Sequence, residues 1–459
     1  MNQTDKWLAQ YKKIHFVGIG GSGMCPLTEI LHKEGYMLTG SDNNETDTLN
    51  RIKSMGIPVS MGHRAENIGD AQMVVHTAAV MADNPELVAA KERGIPLVER
   101  ASLLGAVSRR YGNTIAIAGT HGKTTVTSMV TQILLTAGLD PSAVIGGKLP
   151  LINANGRAGQ SDTFVCEACE FVDTFLELSP AVSVILNIDE DHLDYFGSLE
   201  NIIASFKKFI ANTSQALIVN GDDENSLRAT EGTSLSVVTF GLSPDNEYTA
   251  QNIQSVQGDR HEFDICRKGE ALCRVRLGVP GKHNVGNALG AAAAAMGAGA
   301  LPEDVKKGLE AFTGAGRRFE LLYEGDGITV ADDYAHHPKE LEVVLTSAMK
   351  MGYNRVWAVF QPFTYSRTSL LFDDFVKVLQ IPDKCVMSEI MGAREHNTYD
   401  IYTHMLAKKI PGSVWFDTFE EIADFVTRHA EKGDLILTLG CGDIYKSAKM
   451  MISRLKDRQ

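Results

Sequence analysis

The chain has 459 residues, 44% hydrophobic and 22% charged, which excludes a disordered or fibrous protein and gives enough apolar material for several cores. Its 44 Lys and Arg stand against 57 Asp and Glu, a net charge of −13. A broad nucleic-acid footprint is therefore excluded, while small anionic ligands, which need only a few N–H groups and lysines, stay open. The residues Met1–Lys13 lack an apolar signal core, and the weakly polar run Ala288–Leu301 is too short to cross a bilayer. Seven scattered cysteines suit reduced thiols. A cytoplasmic chain without membrane insertion is expected. Cys166 and Cys169 form a C-x-x-C that lacks a second pair at zinc spacing, so it reads as two ordinary thiols at a strand end.

In chain order, Lys13–Val17 predicts a strand, Met24–Lys33 a helix and Tyr36–Thr39 a second strand. Met73–His76 and Leu97–Val98 continue the alternation, which argues for a parallel sheet covered by helices. The pattern restarts with the strand Thr114–Ala118 and the helix Thr124–Ala137, followed by strands at Phe164–Cys166 and Val182–Leu186. Ser234–Lys268 predicts a few antiparallel strands, and Asn284–Gly299 an Ala-rich helix. A third restart follows Gly314-Ala315-Gly316, with strands at Ile328–Ala331, Arg355–Phe360, Lys384–Met387, Val414–Phe416 and Leu435–Leu439. The expectation is an α/β chain of three domains, 1–108, 109–314 and 315–459.

Five motifs carry chemistry. Gly18-Ile19-Gly20-Gly21-Ser22-Gly23 lies between strand and helix, and Asp42 closes the second strand. Glycines let the backbone approach a diphosphate, and an acidic residue at that distance meets a ribose hydroxyl. The pattern leaves open whether the ligand is a dinucleotide or a nucleotide sugar. Gly119-Thr120-His121-Gly122-Lys123-Thr124-Thr125 ends like a phosphate-binding loop, although Ile117 stands where the commoner loop has glycine. Its Lys123 can reach β/γ oxygens and its Thr124 can offer a hydroxyl to Mg²⁺. Glu167, Glu170 and the run Asn187 to Asp194, which includes His192, follow two further strands. Strand ends of one parallel sheet share an edge, so these groups can surround a metal near phosphates. Asn284 and Asn287 are three apart at a helix start and share a face, as adenine readers or as a cap with a surface Asn. The last group joins Arg317-Arg318, Asp332-Asp333-Tyr334-Ala335-His336-His337-Pro338 and Gln361–Thr368, and arginines suit phosphate or carboxylate clamps.

Together GTHGKTT, NIDEDHLD, GKHNVGN, GRRFE and DDYAHHP, in this order over nearly the whole chain, resemble the Mur ligases of peptidoglycan synthesis. VGIGGSGM, QPFTYSRT and GCGDIYK are similar to the branch that adds L-alanine to UDP-N-acetylmuramate. The resemblance implies a Rossmann-like N-terminal domain, a central P-loop ATPase-like domain with a mixed sheet and a C-terminal Rossmann-like domain. They would take the UDP-sugar, ATP and the amino acid respectively. It implies ATP with Mg²⁺, an acyl-phosphate intermediate, and a monomer or weak homodimer. The UDP-sugar residues implied are Gly18, Gly20, Gly21, Ser22, Gly23, Met24, Ser41, Asp42 and Thr77. For ATP they are Gly119 to Thr125, Asn284, Asn287, Arg317, Arg318 and Asp333, with Lys123, Glu167, His192 and Arg318 catalytic. Thr124, Glu167 and His192 are the metal set, and Tyr334, His336 and Arg367 the amino-acid set.

Two departures from the family pattern stand out. Phe363 and Thr364 occupy positions where relatives often carry a histidine and a basic residue, which leaves Arg367 as the carboxylate clamp. Several Mur ligases have a carbamylated lysine downstream of the D-H motif. Phe206 falls there, with Lys207 adjacent, and the alanine-adding branch is expected to lack the modification. Three alternatives remain: a ligase adding a tripeptide to the same sugar nucleotide, an NAD-dependent oxidoreductase built on the first glycine loop, and a non-catalytic nucleotide-binding subunit.

Overall fold

Each restart of the strand–helix alternation becomes a sheet of its own. A computed structural model describes residues 2–393 and 395–457. The first sheet holds β1 (Lys13–Val17), β2 (Met37–Asp42), β3 (Val59–Met61), β4 (Met73–His76) and β5 (Leu97–Glu99). Its order is β3-β2-β1-β4-β5 and every pairing is parallel. The chain turns outward in opposite directions from β1, which opens a crevice at the carboxyl ends of β1 and β4.

The second sheet contains β6 (Asn113–Ala118), β7 (Ser142–Leu149), β8 (Ala154–Arg157), β9 (Thr163–Ala168), β10 (Val182–Ile185) and β11 (Ala216–Asn220). It continues through β12 (Ser236–Gly241), β13 (Tyr248–Val256), β14 (Arg260–Arg267) and β15 (Glu270–Arg276), in the order β15-β14-β13-β12-β11-β10-β6-β9-β7-β8. TIAIA in β6 is apolar on both faces, as a strand covered on both sides requires. β6 lies between β9 and β10, parallel to both, so three chemistry-bearing strand ends emerge side by side.

Within Ser234–Lys268 the antiparallel expectation fails for β12, which runs parallel to β11 and β13, while β14 pairs antiparallel with β15 just beyond that stretch. Asp222 explains the turn after β12: its carboxylate accepts the N–H groups of Leu242 and Ser243 and the Asn246 amide, so the chain folds over it and re-enters in the same direction. β7 and β8 escape a sequence reading because two glycines break SAVIGGKL after its apolar half, and ANGR is a short polar strand at the sheet edge.

The third sheet holds β16 (Glu320–Gly325), β17 (Ile328–Asp333), β18 (Arg355–Phe360), β19 (Lys384–Ser388), β20 (Val414–Phe416) and β21 (Asp434–Leu439). Its order is β16-β17-β21-β18-β19-β20, with only the edge strand β16 antiparallel. β21 (DLILTL) is buried throughout, with a separate apolar cluster on each face.

The chain gathers into two compact units. One comprises Met1–Gln254, Glu262–Gly278 and His283–Thr313, and so holds the first two sheets. The other comprises Ser255–His261, Val279–Lys282 and Gly314–Gln459. The first two sheets merge because one apolar cluster runs from Leu8 and Ile14 through Val107 to Phe164 and Phe206. Arg109 reinforces the seam by gripping Asp5 (2.9 Å) and donating to the Glu177 carbonyl (2.7 Å). Among the described residues, no helix is long and apolar enough to cross a membrane.

Candidate functional site

The first glycine loop is built by its neighbours. Gly18 has φ +78°, and a Cβ there would lie 2.8 Å from Thr77 Cγ2, so the ends of β1 and β4 meet without room for a side chain. The Ser41 carbonyl accepts N–H bonds from Gly18 (2.9 Å) and Ile19 (3.1 Å), and Asp42 Oδ2 accepts the Gly20 N–H (2.9 Å). Gly21 and Ser22 are exposed, and Gly23 packs against Arg100. Gly18, Gly20, Gly21, Ser22, Gly23, Asp42 and Thr77 thus share one edge. Two of the expected residues have buried side chains. The Ser41 side chain is fully buried and donates its hydroxyl to Glu86 Oε2 (2.6 Å). Met24 is buried in the core at the start of the helix Cys25–Lys33. Each supports the loop from beneath.

The second loop follows β6. Gly122 takes a left-handed conformation (φ +88°) as the N-cap of the helix Lys123–Thr136. Thr120 N–H donates to the Asn187 carbonyl (3.0 Å), His121 N–H to Asn187 Oδ1 (2.8 Å) and Asp189 N–H to Thr120 Oγ1 (2.9 Å). The loop is therefore laced to the end of β10. Asn284 and Asn287 also arrive here. The Asn287 amide donates to Asn284 Oδ1 (2.9 Å), and a Cβ on Gly122 would lie 2.8 Å from Asn287 Oδ1.

Lys123 Nζ donates to the carbonyls of Gly119 (2.5 Å) and Thr120 (3.1 Å) and to both Glu170 oxygens (3.1 and 2.9 Å). Burial alone would lower its pKa, but the Glu170 carboxylate together with Cys169 and Glu167 outweighs it and holds the ammonium above the usual lysine range. The amine is charged at neutral pH. Thr124 Oγ1 donates to Glu167 Oε2 (3.1 Å), while Glu167 Oε1 accepts the Gly146 N–H (2.5 Å). Thr125 follows, partly buried, in the first turn of the helix.

Of the expected metal trio, Thr124 and Glu167 touch. His192 stands beyond the neighbouring strand end, 3.8 Å from Asp191 and tilted against the Phe171 ring at 4.5 Å between centroids. His192 and, on the facing loop, Val172 and Asp173 all have positive φ, and such strain clusters at functional sites. Among the described residues, no group of three or more His, Cys, Asp or Glu stands at metal-binding spacing. A hydroxyl beside a carboxylate is nevertheless a fitting partial set for Mg²⁺, which usually takes one or two protein oxygens and completes its octahedron with phosphate and water.

In the other compact unit, the neighbours Arg317 and Arg318 diverge. Arg317 is spent within its own sheet: Nε donates to Asp332 (2.8 Å), Nη1 to the Gly442 carbonyl (3.1 Å) and Nη2 to the Gly440 carbonyl (2.5 Å). Arg318 lies over the Tyr334 ring at 5.3 Å. Asp333 is buried and accepts the N–H groups of Ala335 and Phe319 (2.7 Å each). Burial raises its pKa to about 6 against the pull of Arg318 and those two N–H groups. The His336 ring packs edge-on against Tyr334 (5.6 Å) and Phe363 (6.3 Å). Burial lowers the His336 pKa to about 4, despite Glu340 3.3 Å away. Arg367 Nη1 is buried without a hydrogen-bond partner among the described residues. Thr364, at φ +64°, caps the short helix that carries Arg367.

Phe206 is fully buried edge-on to Phe175, and Lys207 pairs with Glu231 (3.4 Å). Sequence reasoning placed Glu170 in the acidic set without a role and did not single out Asn187. The signal for both was their position immediately after a strand beside the phosphate loop.

Comparison with known proteins finds relatives along nearly the whole chain. Residues 13–112 match the Mur ligase family catalytic domain, 117–295 the Mur ligase middle domain and 317–442 the Mur ligase glutamate ligase domain. A UDP-N-acetylmuramate–L-alanine ligase of Acetivibrio thermocellus is 42% identical over 98% of this chain and 97% of its own. One of Clostridium botulinum (strain Langeland) is 42% identical over 96% and 98%. The crystal structure of the UDP-N-acetylmuramate–alanine ligase of Thermotoga maritima superposes with a TM-score of 0.84 at 29% identity, over 97% of this chain and all of that one. With all three domains matched in order and a relative 42% identical over nearly the whole length, the chain belongs to the Mur ligase family.

Proposed function

We propose that this protein is an ATP-dependent ligase that joins L-alanine to UDP-N-acetylmuramate in peptidoglycan precursor synthesis. The observation that carries it is the second loop: a charged, desolvated Lys123 beside a Thr124–Glu167 oxygen pair, in a chain 42% identical along its length to ligases of that name. The lactyl carboxylate attacks the γ-phosphorus, the β–γ bridging bond breaks, and ADP leaves with that electron pair. The neutral amine of L-alanine then attacks the acyl phosphate carbonyl. The tetrahedral intermediate collapses, expels phosphate and forms the amide.

Two anions must meet in the first step, so the chain's task is to neutralise and align them. Lys123 exchanges Glu170 for the β/γ oxygens. Thr124 and Glu167, with His192 from the next strand end, would hold Mg²⁺, which when bound neutralises phosphate charge. Asn284 and Asn287 sit where an adenine edge can be read. Because Arg317 is committed to its own sheet, Arg318 is the arginine that serves the phosphate, with Asp333 as a further nucleotide contact. Arg367, with its unpartnered Nη1, grips the alanine carboxylate beside Tyr334 and His336.

The division of labour follows the three parts: 1–108 takes the UDP-sugar, 109–314 ATP and 315–459 the amino acid. The seven cysteines are all free thiols, which suits a cytoplasmic enzyme. The test is phosphate release with UDP-N-acetylmuramate and ATP against a panel of amino acids and the tripeptide. L-alanine should give the largest kcat/KM. A preference for the tripeptide, or no release with any acceptor, overturns the reading.

A further inference from the structure

Glu86 opens the helix Pro85–Glu92 and is fully buried, yet the reaction does not use it. Its Oε2 accepts the Ser41 hydroxyl at 2.6 Å and lies 3.4 Å from His63 Nδ1 and 3.6 Å from the buried His15 Nε2. Its Oε1 accepts the Arg64 N–H (3.3 Å) and the Asn67 amide. These contacts lead to the loop. The Ser41 carbonyl holds the N–H groups of Gly18 and Ile19. Asn67 also donates to the Gly62 carbonyl (2.9 Å), and Gly62 N–H donates to the Asp42 carbonyl (2.8 Å). One carboxylate therefore ties together the carboxyl ends of β1, β2 and β3, where the glycine loop, Asp42 and the partly exposed His63 ring emerge.

Burying a carboxylate costs more than packing an apolar side chain of the same size, so fold stability alone does not account for it. Burial works to raise its pKa, but His15, Ser41 and Asn67 outweigh that and hold it at about 2, so it is an anion at neutral pH. We propose that Glu86 is a positioning residue for the acceptor nucleotide: without touching the ligand, it fixes the glycine loop, Asp42 and His63 at one edge so that they meet the diphosphate and ribose together. This rests on the reading that 1–108 binds the UDP-sugar.

The experiment measures the three KM values, kcat and calorimetric UDP-N-acetylmuramate affinity for wild type, Glu86→Gln, Ser41→Ala and Asp42→Ala. Glu86→Gln keeps the volume and removes the charge. It should weaken UDP-sugar affinity and raise that KM about tenfold, while kcat and the other two KM values stay within about twofold. Ser41→Ala removes a single link and should give a smaller change of the same kind, which keeps the test open if Glu86→Gln folds poorly. If Asp42→Ala weakens UDP-sugar binding while Glu86→Gln and Ser41→Ala do not, the positioning role is overturned and the domain reading stands. If all three KM values move together with a fall in Tm, Glu86 is only a fold residue and the proposal is overturned. If none of the variants changes UDP-sugar affinity, the assignment of 1–108 itself fails.

Discussion

At the end of β17, His336 is kept neutral by its surroundings down to about pH 4. In the unfolded chain it regains a pKa near 6.5, so between those values the unfolded state binds a proton that the folded state refuses. Its neutral burial therefore costs nothing above pH 6.5, and stability is lost as pH falls from there toward 4. The loss is on the order of 2 kcal/mol by pH 5. His336→Asn should narrow this window: the Tm gap between pH 7 and pH 5 should be smaller in the variant than in the wild type, and equal gaps would contradict the assignment. Arg367 belongs to the same scale. A guanidinium holds a carboxylate by two parallel bonds and an ammonium does not. Arg367→Lys should raise the KM for L-alanine roughly ten- to hundredfold, with those for ATP and UDP-N-acetylmuramate little changed. Steady-state kinetics that move all three KM values together would return Arg367 to a structural role. Residues of this kind were legible in part. Lys123 and His336 stand in motifs whose chemistry is local. The commitment of Arg317 to Gly440 and Gly442, and that of Ser41 to Glu86, depends on partners far along the chain, which no local pattern displays.

The phosphate loop is the element in which backbone and function are hardest to separate. Gly122 holds a left-handed turn at φ +88°, and any Cβ there would press on Asn287 Oδ1. Gly122→Ala therefore combines a backbone cost of about 1–2 kcal/mol with displacement of the Asn284–Asn287 pair. The expected result is a KM for ATP raised about tenfold or more and a Tm lowered by a few degrees, read by phosphate release and calorimetry. An unchanged KM for ATP would detach the Asn pair from the nucleotide. Such glycine turns are readable because they are obligations of φ. The buried parallel strands β1, β4, β6, β18 and β21 are readable because helices on both faces demand apolar runs. Short or glycine-broken strands outside that central group carry neither signal. β7 and β8 contain glycine and polar residues, and the direction of β13 is set by Asp222 at the turn before it.

For the whole molecule, placing the two glycine loops on separate sheets predicts separable binding. Lys123→Ala should abolish turnover yet leave calorimetric UDP-N-acetylmuramate affinity within about twofold of wild type, since Lys123 hydrogen-bonds to its own loop and to Glu170 just after β9 of the second sheet. Loss of that affinity would mean that the two sheets do not divide the substrates. The apolar cluster shared by those sheets could not be foreseen, because side chains from Leu8 to Phe206 meet only after both sheets have formed. Phe206 itself has a consequence for how the enzyme meets its environment. Ligases that depend on a carbamylated lysine depend on dissolved carbon dioxide and lose the group as it escapes. By the sequence resemblance Phe206 takes that place; its ring packs edge-on to Phe175, and Lys207 beside it pairs with Glu231. Turnover should therefore be the same in degassed, bicarbonate-free buffer as in air, with the charge of the site set by the polypeptide's own residues.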